Sequence, residues 1–116
     1  MFKFEDLIVW QKGINFVDGV YEVTKTFPKE ERFGLISQFQ RAATSVVLNI
    51  AEGSGRTTKK EFRKFLRDSL GSLRESVTCL IIAKKRDYLD EASYNRIYQL
   101  AEELSKMITG LHKSLS

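Results

Sequence analysis

The chain has 116 residues, of which 42% are hydrophobic and 29% charged, and its net charge is +4. This composition excludes a largely disordered chain and fits one globular domain spanning residues 1–116. No basic, apolar leader and no apolar run of about 20 residues is present, so we expect a cytoplasmic protein without membrane contact.

The first predicted element is a helix over residues 6–26, with Asp6 as its N-cap. Along it, side chains suited to a buried face recur at alternating spacings of three and four, which is typical of helices packed nearly parallel to their neighbours. This seam comprises Leu7, Trp10, Ile14, Val17, Tyr21 and Thr24. Other apolar residues lie off the seam, so this helix has more apolar surface than one seam requires.

Pro28 interrupts the helical pattern and is predicted in the first turn of the second helix, with Glu30 and Glu31 near the positive end of that helix. The main body of the second helix is predicted over residues 35–52. Its seam comprises Ile36, Phe39, Ala43, Val46 and Ile50. Gly53 is predicted to end this helix in the left-handed conformation.

The third helix is predicted to begin after Thr58, which forms a capping box with Glu61, and to end near Arg86. Its seam comprises Phe62, Leu66, Ser69, Leu73, Ser76, Leu80 and Ala83. Gly71 costs about 1 kcal/mol relative to alanine inside a helix. We therefore expect another helix to approach closely at Gly71.

Asp90 is predicted to cap a fourth helix over residues 91–115. Its seam comprises Ile97, Leu100, Leu104, Met107 and Leu111. No stretch alternates apolar and polar residues with a period of two, so no strand is expected. Four amphipathic helices with short connections predict an all-α protein, an antiparallel up-down-up-down four-helix bundle.

Polar residues share one face of the second helix at spacings of three and four: Arg41, Ser45, Asn49 and Glu52. We interpret them as a network that fixes packing or assembly, with Arg41, Glu52 and Glu75 as ion-pair partners. The full structural or assembly set is Arg41, Ser45, Asn49, Glu52, Gly53, Gly71, Ser72 and Glu75. The alternative is a ligand or catalytic site, but acid–base catalysis usually requires a histidine or paired carboxylates in a cleft.

Cys79 is the single cysteine and lies in an apolar run, which predicts a buried, unreactive thiol. His112 is the single histidine and is expected to be an exposed bystander. These two residues are far apart in the sequence and do not suggest a metal site. The glycine loop after residue 52 lacks the spacing of a phosphate-binding loop. We therefore predict no catalytic residues, no metal and no cofactor.

Positive charge is concentrated in residues 54–86, which carry ten basic and three acidic side chains and a net charge of +7. We call the basic residues of the loop and the first half of the third helix the basic stripe. The stripe comprises Arg56, Lys59, Lys60, Arg63, Lys64, Arg67 and Arg74. Two interpretations remain open: an ordinary solvated helix face, and a surface that binds nucleic-acid backbones without reading sequence.

Several motifs resemble one protein family in order along nearly the whole chain. They are Leu7 with Trp10, Phe27-Pro28-x-x-Glu31-x-x-Gly34-Leu35-x-x-Gln38, Arg41-Ala42-Ala43-x-Ser45, Asn49-Ile50-Ala51-Glu52-Gly53 and Gly71-Ser72-Leu73-x-Glu75. The family is the four-helix-bundle proteins encoded within intervening sequences of bacterial 23S rRNA genes. Gln40 departs from the pattern, since members often carry a basic residue beside Arg41.

This resemblance implies an antiparallel four-helix bundle that assembles as a homo-oligomer, typically a homopentameric ring. It also implies no established biochemical activity. A related branch, the accessory proteins of diversity-generating retroelements, has a basic surface and works with a reverse transcriptase and RNA. Our leading hypothesis is therefore a non-enzymatic oligomer that binds RNA or DNA through the basic stripe. The alternative is a protein-partner adaptor or scaffold with no role in nucleic-acid binding.

Overall fold

The computed structural model describes residues 1–116 and contains four α-helices and no strand. Two short 3₁₀ turns lie at Lys3–Asp6 and Lys29–Glu31, and the helices are α1 (Ile8–Thr24), α2 (Leu35–Ser54), α3 (Lys59–Lys85) and α4 (Glu91–Ser114). Consecutive helices pack side by side and α1 also packs on α4, giving a bundle of 43 × 24 × 23 Å. The predicted antiparallel up-down-up-down bundle is confirmed. None of the helices combines the length and apolar character needed to span a membrane.

The predicted buried face of α1 is largely wrong. Tyr21, placed on the seam, is 45% exposed, whereas four residues placed off the seam are buried: Val9, Phe16, Val20 and Val23. The reason is that α1 packs against two helices through glycines. A Cβ atom added at Gly13 would lie 2.6 Å from Val47 of α2, and one at Gly19 would lie 2.7 Å from Ile97 of α4. These close approaches turn a different face of α1 toward the core.

The predicted start of α1 is also corrected. Asp6 belongs to the first 3₁₀ turn, and Leu7 occupies the N-cap position of α1 without a side-chain hydrogen bond. At the other end of the helix, Pro28 caps the second 3₁₀ turn instead of entering the first turn of α2. Glu31 lies near the positive end of α2 as predicted, and its carboxylate accepts a hydrogen bond from the backbone N–H of Leu35 at 3.0 Å.

The seams of α2 and α3 are predicted well. Phe39, Ala43, Val46 and Ile50 of α2 are buried, as are six of the seven predicted α3 residues: Leu66, Ser69, Leu73, Ser76, Leu80 and Ala83. Small residues allow the two helices to approach closely. The buried hydroxyl of Ser69 donates a hydrogen bond to the backbone carbonyl of Val46 at 2.8 Å. This α2–α3 seam is the most extensive helix contact in the molecule.

The two glycines singled out in these helices behave differently from expectation. Gly53 is not left-handed and does not end α2, since no glycine has a positive φ and the helix continues to Ser54. A Cβ atom at Gly53 would lie 2.7 Å from Cβ of Phe65, so a side chain is excluded there by the close packing of α3. Gly71 has no such neighbour, because the nearest atom to an added Cβ is Nη2 of Arg74 at 3.9 Å.

The predicted caps of α3 and α4 are confirmed. The hydroxyl of Thr58 accepts a hydrogen bond from the backbone N–H of Glu61 at 3.1 Å, and Asp90 accepts one from that of Ser93 at 2.7 Å. The latter bond lowers the pKa of Asp90. Thr58 therefore fixes where α3 begins, and with it the position of the first cations of the basic stripe.

Candidate nucleic-acid interface

The first turn of α3 presents two cations to solvent. Lys59 and Lys60 are exposed, and neither forms an ion pair with a carboxylate of the chain. They directly follow Thr58, at the helix end where free backbone N–H groups and the helix dipole favour negative charge. This end of α3 is therefore electropositive from both its side chains and its backbone.

Two other residues of the basic stripe take part in salt bridges within the chain. Arg56 contacts Glu52 at 2.6 Å, and Lys64 contacts Asp68 at 2.9 Å. Both cations also lie over the ring of Phe65, at 4.8 and 4.9 Å from its centroid. Exposed salt bridges of this kind contribute only about 0–1 kcal/mol, so these cations can still interact with an external anion.

The remaining arginines of the stripe are directed toward α4. Nη1 of Arg67 lies 3.3 Å from Nε2 of His112, and because a guanidinium only donates, the ring nitrogen accepts. The Nε atom of Arg63 is buried and has no hydrogen-bond partner in the protein. Arg74 lines an open groove of about 370 Å³ between α3 and α4, which also contains Glu102. The prediction that His112 is an exposed bystander is therefore wrong.

A small cleft at the start of α3 adds a cation that the sequence did not single out. The cleft has a volume of about 210 Å³ and brings Lys3 together with Arg56 and Lys59. The hydroxyl residues Ser54, Thr57 and Thr58 line the same cleft. Lys3 reaches this place because the first 3₁₀ turn lies beside the end of α2. No local sequence signal connects residue 3 with residues 54–59.

The predicted polar network on α2 forms only in part. Ser45 and Ser72 share a hydrogen bond of 2.8 Å between their hydroxyls, and the Asn49 side chain donates to Ser45. The expected ion pairs of Arg41 with Glu52 or Glu75 are absent, because Glu52 contacts Arg56 instead. Arg41, Glu52 and Glu75 are all exposed in the single chain.

The structure offers little support for a catalytic or metal site. Cys79 is buried as predicted, and this burial raises the pKa of its thiol, which makes the nucleophilic thiolate harder to form. No group of three or more histidine, cysteine, aspartate or glutamate side chains is arranged to hold a metal ion. The concentrated chemistry of the surface is thus that of cations and hydroxyl groups.

Comparison with known proteins agrees with this architecture. The model of the family described as 23S rRNA-intervening sequence protein matches residues 5–110. A crystal structure of a protein of unknown function from the S23 ribosomal protein family of Bacteroides thetaiotaomicron superposes with a TM-score of 0.84 at 22% identity, covering 91% of this chain and 99% of that one. Comparison with curated proteins finds no match. Neither the family description nor the neighbour's name states a reaction.

Proposed function

We propose that this protein, which belongs to the 23S rRNA-intervening sequence protein family, is a homo-oligomeric helical bundle that binds RNA or DNA backbones through its basic stripe. One observation carries the proposal. Five of the seven stripe cations form no ion pair with a carboxylate of the chain: Lys59, Lys60, Arg63, Arg67 and Arg74. A cluster of unpaired cations attracts a chain of phosphates and releases its counterions.

The arrangement favours contacts with phosphates over the reading of bases. Lysines and arginines on one face of a helix, with hydroxyl groups and backbone N–H groups at its start, are the donors that position nucleic-acid backbones. The one aromatic ring within the stripe, Phe65, is already covered by Arg56 and Lys64 and offers no free face to a base. We therefore expect binding that depends strongly on salt and weakly on sequence.

A second candidate function is that of a protein-partner adaptor, and a different surface favours it. Phe33 is 91% exposed, Leu48 61% and Tyr21 45%, and all three line one groove on the outer side of α1 and α2. Exposed aromatic and aliphatic residues beside arginines are typical of protein interfaces. An adaptor would retain its partner after nuclease treatment, whereas a nucleic-acid-mediated complex would not.

The test compares two double charge reversals on the same helix. Lys59→Glu with Lys60→Glu changes the first turn of α3, and Lys84→Glu with Lys85→Glu makes the same charge change in its last turn. New acids favour the helix dipole at the first site and oppose it at the second. A loss of binding in the first variant therefore cannot be attributed to weakening of α3.

Binding to fluorescently labelled generic RNA and duplex DNA is measured by anisotropy at about 50 and 200 mM salt, a range over which several phosphate contacts change affinity strongly. We expect the reversal at Lys59 and Lys60 to lower affinity at least about tenfold at low salt, because two attractive contacts become repulsive. The reversal at Lys84 and Lys85 should have a much smaller effect. Equal losses in both variants, or no binding by the unmodified protein, would contradict the proposal.

A further inference from the structure

The outward face of α2 carries a short pattern that neither the core nor the basic stripe uses. Arg41, Ser45, Leu48 and Glu52 lie on this face at spacings of four, three and four residues. We call these four residues the outer α2 stripe. Leu48 is 61% exposed at its centre, and a charged residue of opposite sign stands at each end. An exposed leucine between two unlike charges is unusual for a purely solvated face.

The spacing of the outer α2 stripe is the same from either end. A second α2 running antiparallel across it therefore meets the stripe in register. Arg41 of each copy then faces Glu52 of the other copy, and Leu48 of each faces Ser45 of the other. The stripe spans about 16 Å at a rise of about 1.5 Å per residue, so both charge pairs fit along one helix contact.

The side chains suit this contact in size and charge. Leu48 is a large knob, and the small Ser45 leaves room for it, as in the packing of helices in coiled coils. Arg41 has no carboxylate partner in its own chain. Glu52 contacts Arg56 through Oε1 alone, so Oε2 remains available to a second guanidinium.

The surroundings of the stripe extend the surface to the size of a docking site. A groove of about 650 Å³ runs along the same face and contains Arg41, Ser45 and Leu48 together with the exposed rings of Tyr21 and Phe33. No acidic residue lines this groove, although Arg32 and Arg41 both do. The groove therefore requires an occupant with an acidic group near the Leu48 end, which Glu52 of a second copy supplies.

We propose that two copies of this chain associate through the outer α2 stripe, with their α2 helices antiparallel about a two-fold axis that passes between Ser45 and Leu48. The inference rests on the homo-oligomer in the proposed function and names the surface that forms it. A two-fold contact is self-complementary and closes after two copies. It is thus an alternative to the five-membered ring that the family resemblance implies, and the mass of the particle separates the two.

The experiment uses the full chain and charge reversals at both ends of the stripe. Light scattering and sedimentation give the mass of the wild type, of Arg41→Glu, of Glu52→Arg and of a control, Lys106→Glu, which changes an exposed lysine on α4 that forms no ion pair. We expect a wild-type dimer and a dimer dissociation constant at least about tenfold higher in each single reversal, because two symmetry-related pairs become repulsive. The control should match the wild type.

Mixing gives the most specific result. An Arg41→Glu chain and a Glu52→Arg chain form two favourable pairs with each other, so the mixture should recover dimers that neither variant forms alone. The double variant with both reversals in one chain should also dimerise. Circular dichroism melts of each single variant show that the subunit remains folded.

Several results would overturn the inference: a monomeric wild type at about 100 µM, well above a micromolar dissociation constant; a particle of five copies; unchanged mass in both single reversals; or no recovery on mixing. Failure of nucleic-acid binding is a separate outcome. The Lys59 and Lys60 reversals lie outside the outer α2 stripe and should leave the dimer intact.

Discussion

Helix α3 has two faces that are built in opposite ways. Its seam with α2 is buried and tightly fitted, with Ser69 and Ser76 fully inaccessible and Gly53 of α2 held against Phe65. The basic stripe on its outer side is exposed and makes few bonds to the rest of the chain. The difference teaches that one helix can separate its tasks by face. Substitutions in the seam should change folding stability, and substitutions in the stripe should change binding.

The largest effect on stability in this comparison is expected at Gly53. Changing Gly53→Ala places a methyl group 2.7 Å from Cβ of Phe65 and 2.9 Å from Cδ1 of Phe62, so α2 and α3 must move apart. We expect a loss of about 1–3 kcal/mol in the free energy of unfolding, measured by urea denaturation.

Gly55→Ala is the matched control, since the nearest atom to its added Cβ is 3.7 Å away and its φ of −89° suits alanine. If both variants lose the same stability, the close fit at Gly53 is not what shapes the end of the seam.

A smaller effect of opposite sign is expected at Gly71, on the same helix but away from the seam. An added Cβ meets only the end of Arg74 at 3.9 Å, so nothing in the chain requires a glycine here. Gly71→Ala should therefore stabilise the protein by about 1 kcal/mol, because alanine has the higher helix propensity. A clear destabilisation in a chemical melt would show that another molecule or subunit packs against this position.

The smallest stability effect concerns the end of the bundle far from the stripe. The N–H of Leu35, and after it the hydroxyl of Tyr88, hold the pKa of Glu31 below its ordinary value, while the same contact raises the pKa of Tyr88. A lowered carboxyl pKa stabilises the fold above the pKa of the unfolded chain, about 4.3, and this contribution is lost as pH falls through the folded value.

Glu31→Gln should thus melt at a lower temperature than the wild type at pH 7, and the difference should shrink below about pH 4. Nucleic-acid affinity should not change. A melting difference that grows on acidification would contradict this assignment.

The fold could be predicted from the sequence where the apolar pattern was one-sided. α2 and α3 each pack mainly along one seam, so residues such as Phe39 and Leu66 were placed in the core correctly. The pattern failed for α1, whose apolar residues lie on several sides. There the two contacts at Gly13 and Gly19 decide which side is buried, and glycine carries no hydrophobic signal.

The candidate interface could be predicted only as far as it is local in sequence. The basic stripe lies within one helix and its preceding loop, so spacing alone found it. Lys3 and His112 come from the two ends of the chain and join the stripe only through folding. The expected pairing of Arg41 with Glu52 failed because Arg56, four residues beyond Glu52, is the nearer partner along the helix.

The central claim is that the cations at the start of α3 contact phosphates. The most direct measurement is the dependence of duplex DNA affinity on salt concentration for the wild type and for Lys59→Gln with Lys60→Gln. Each lost phosphate contact lowers the slope of log affinity against log salt by about 0.9. The account predicts a slope shallower by about 1.8 in the double variant. An unchanged slope would show that these two lysines do not contact the nucleic acid.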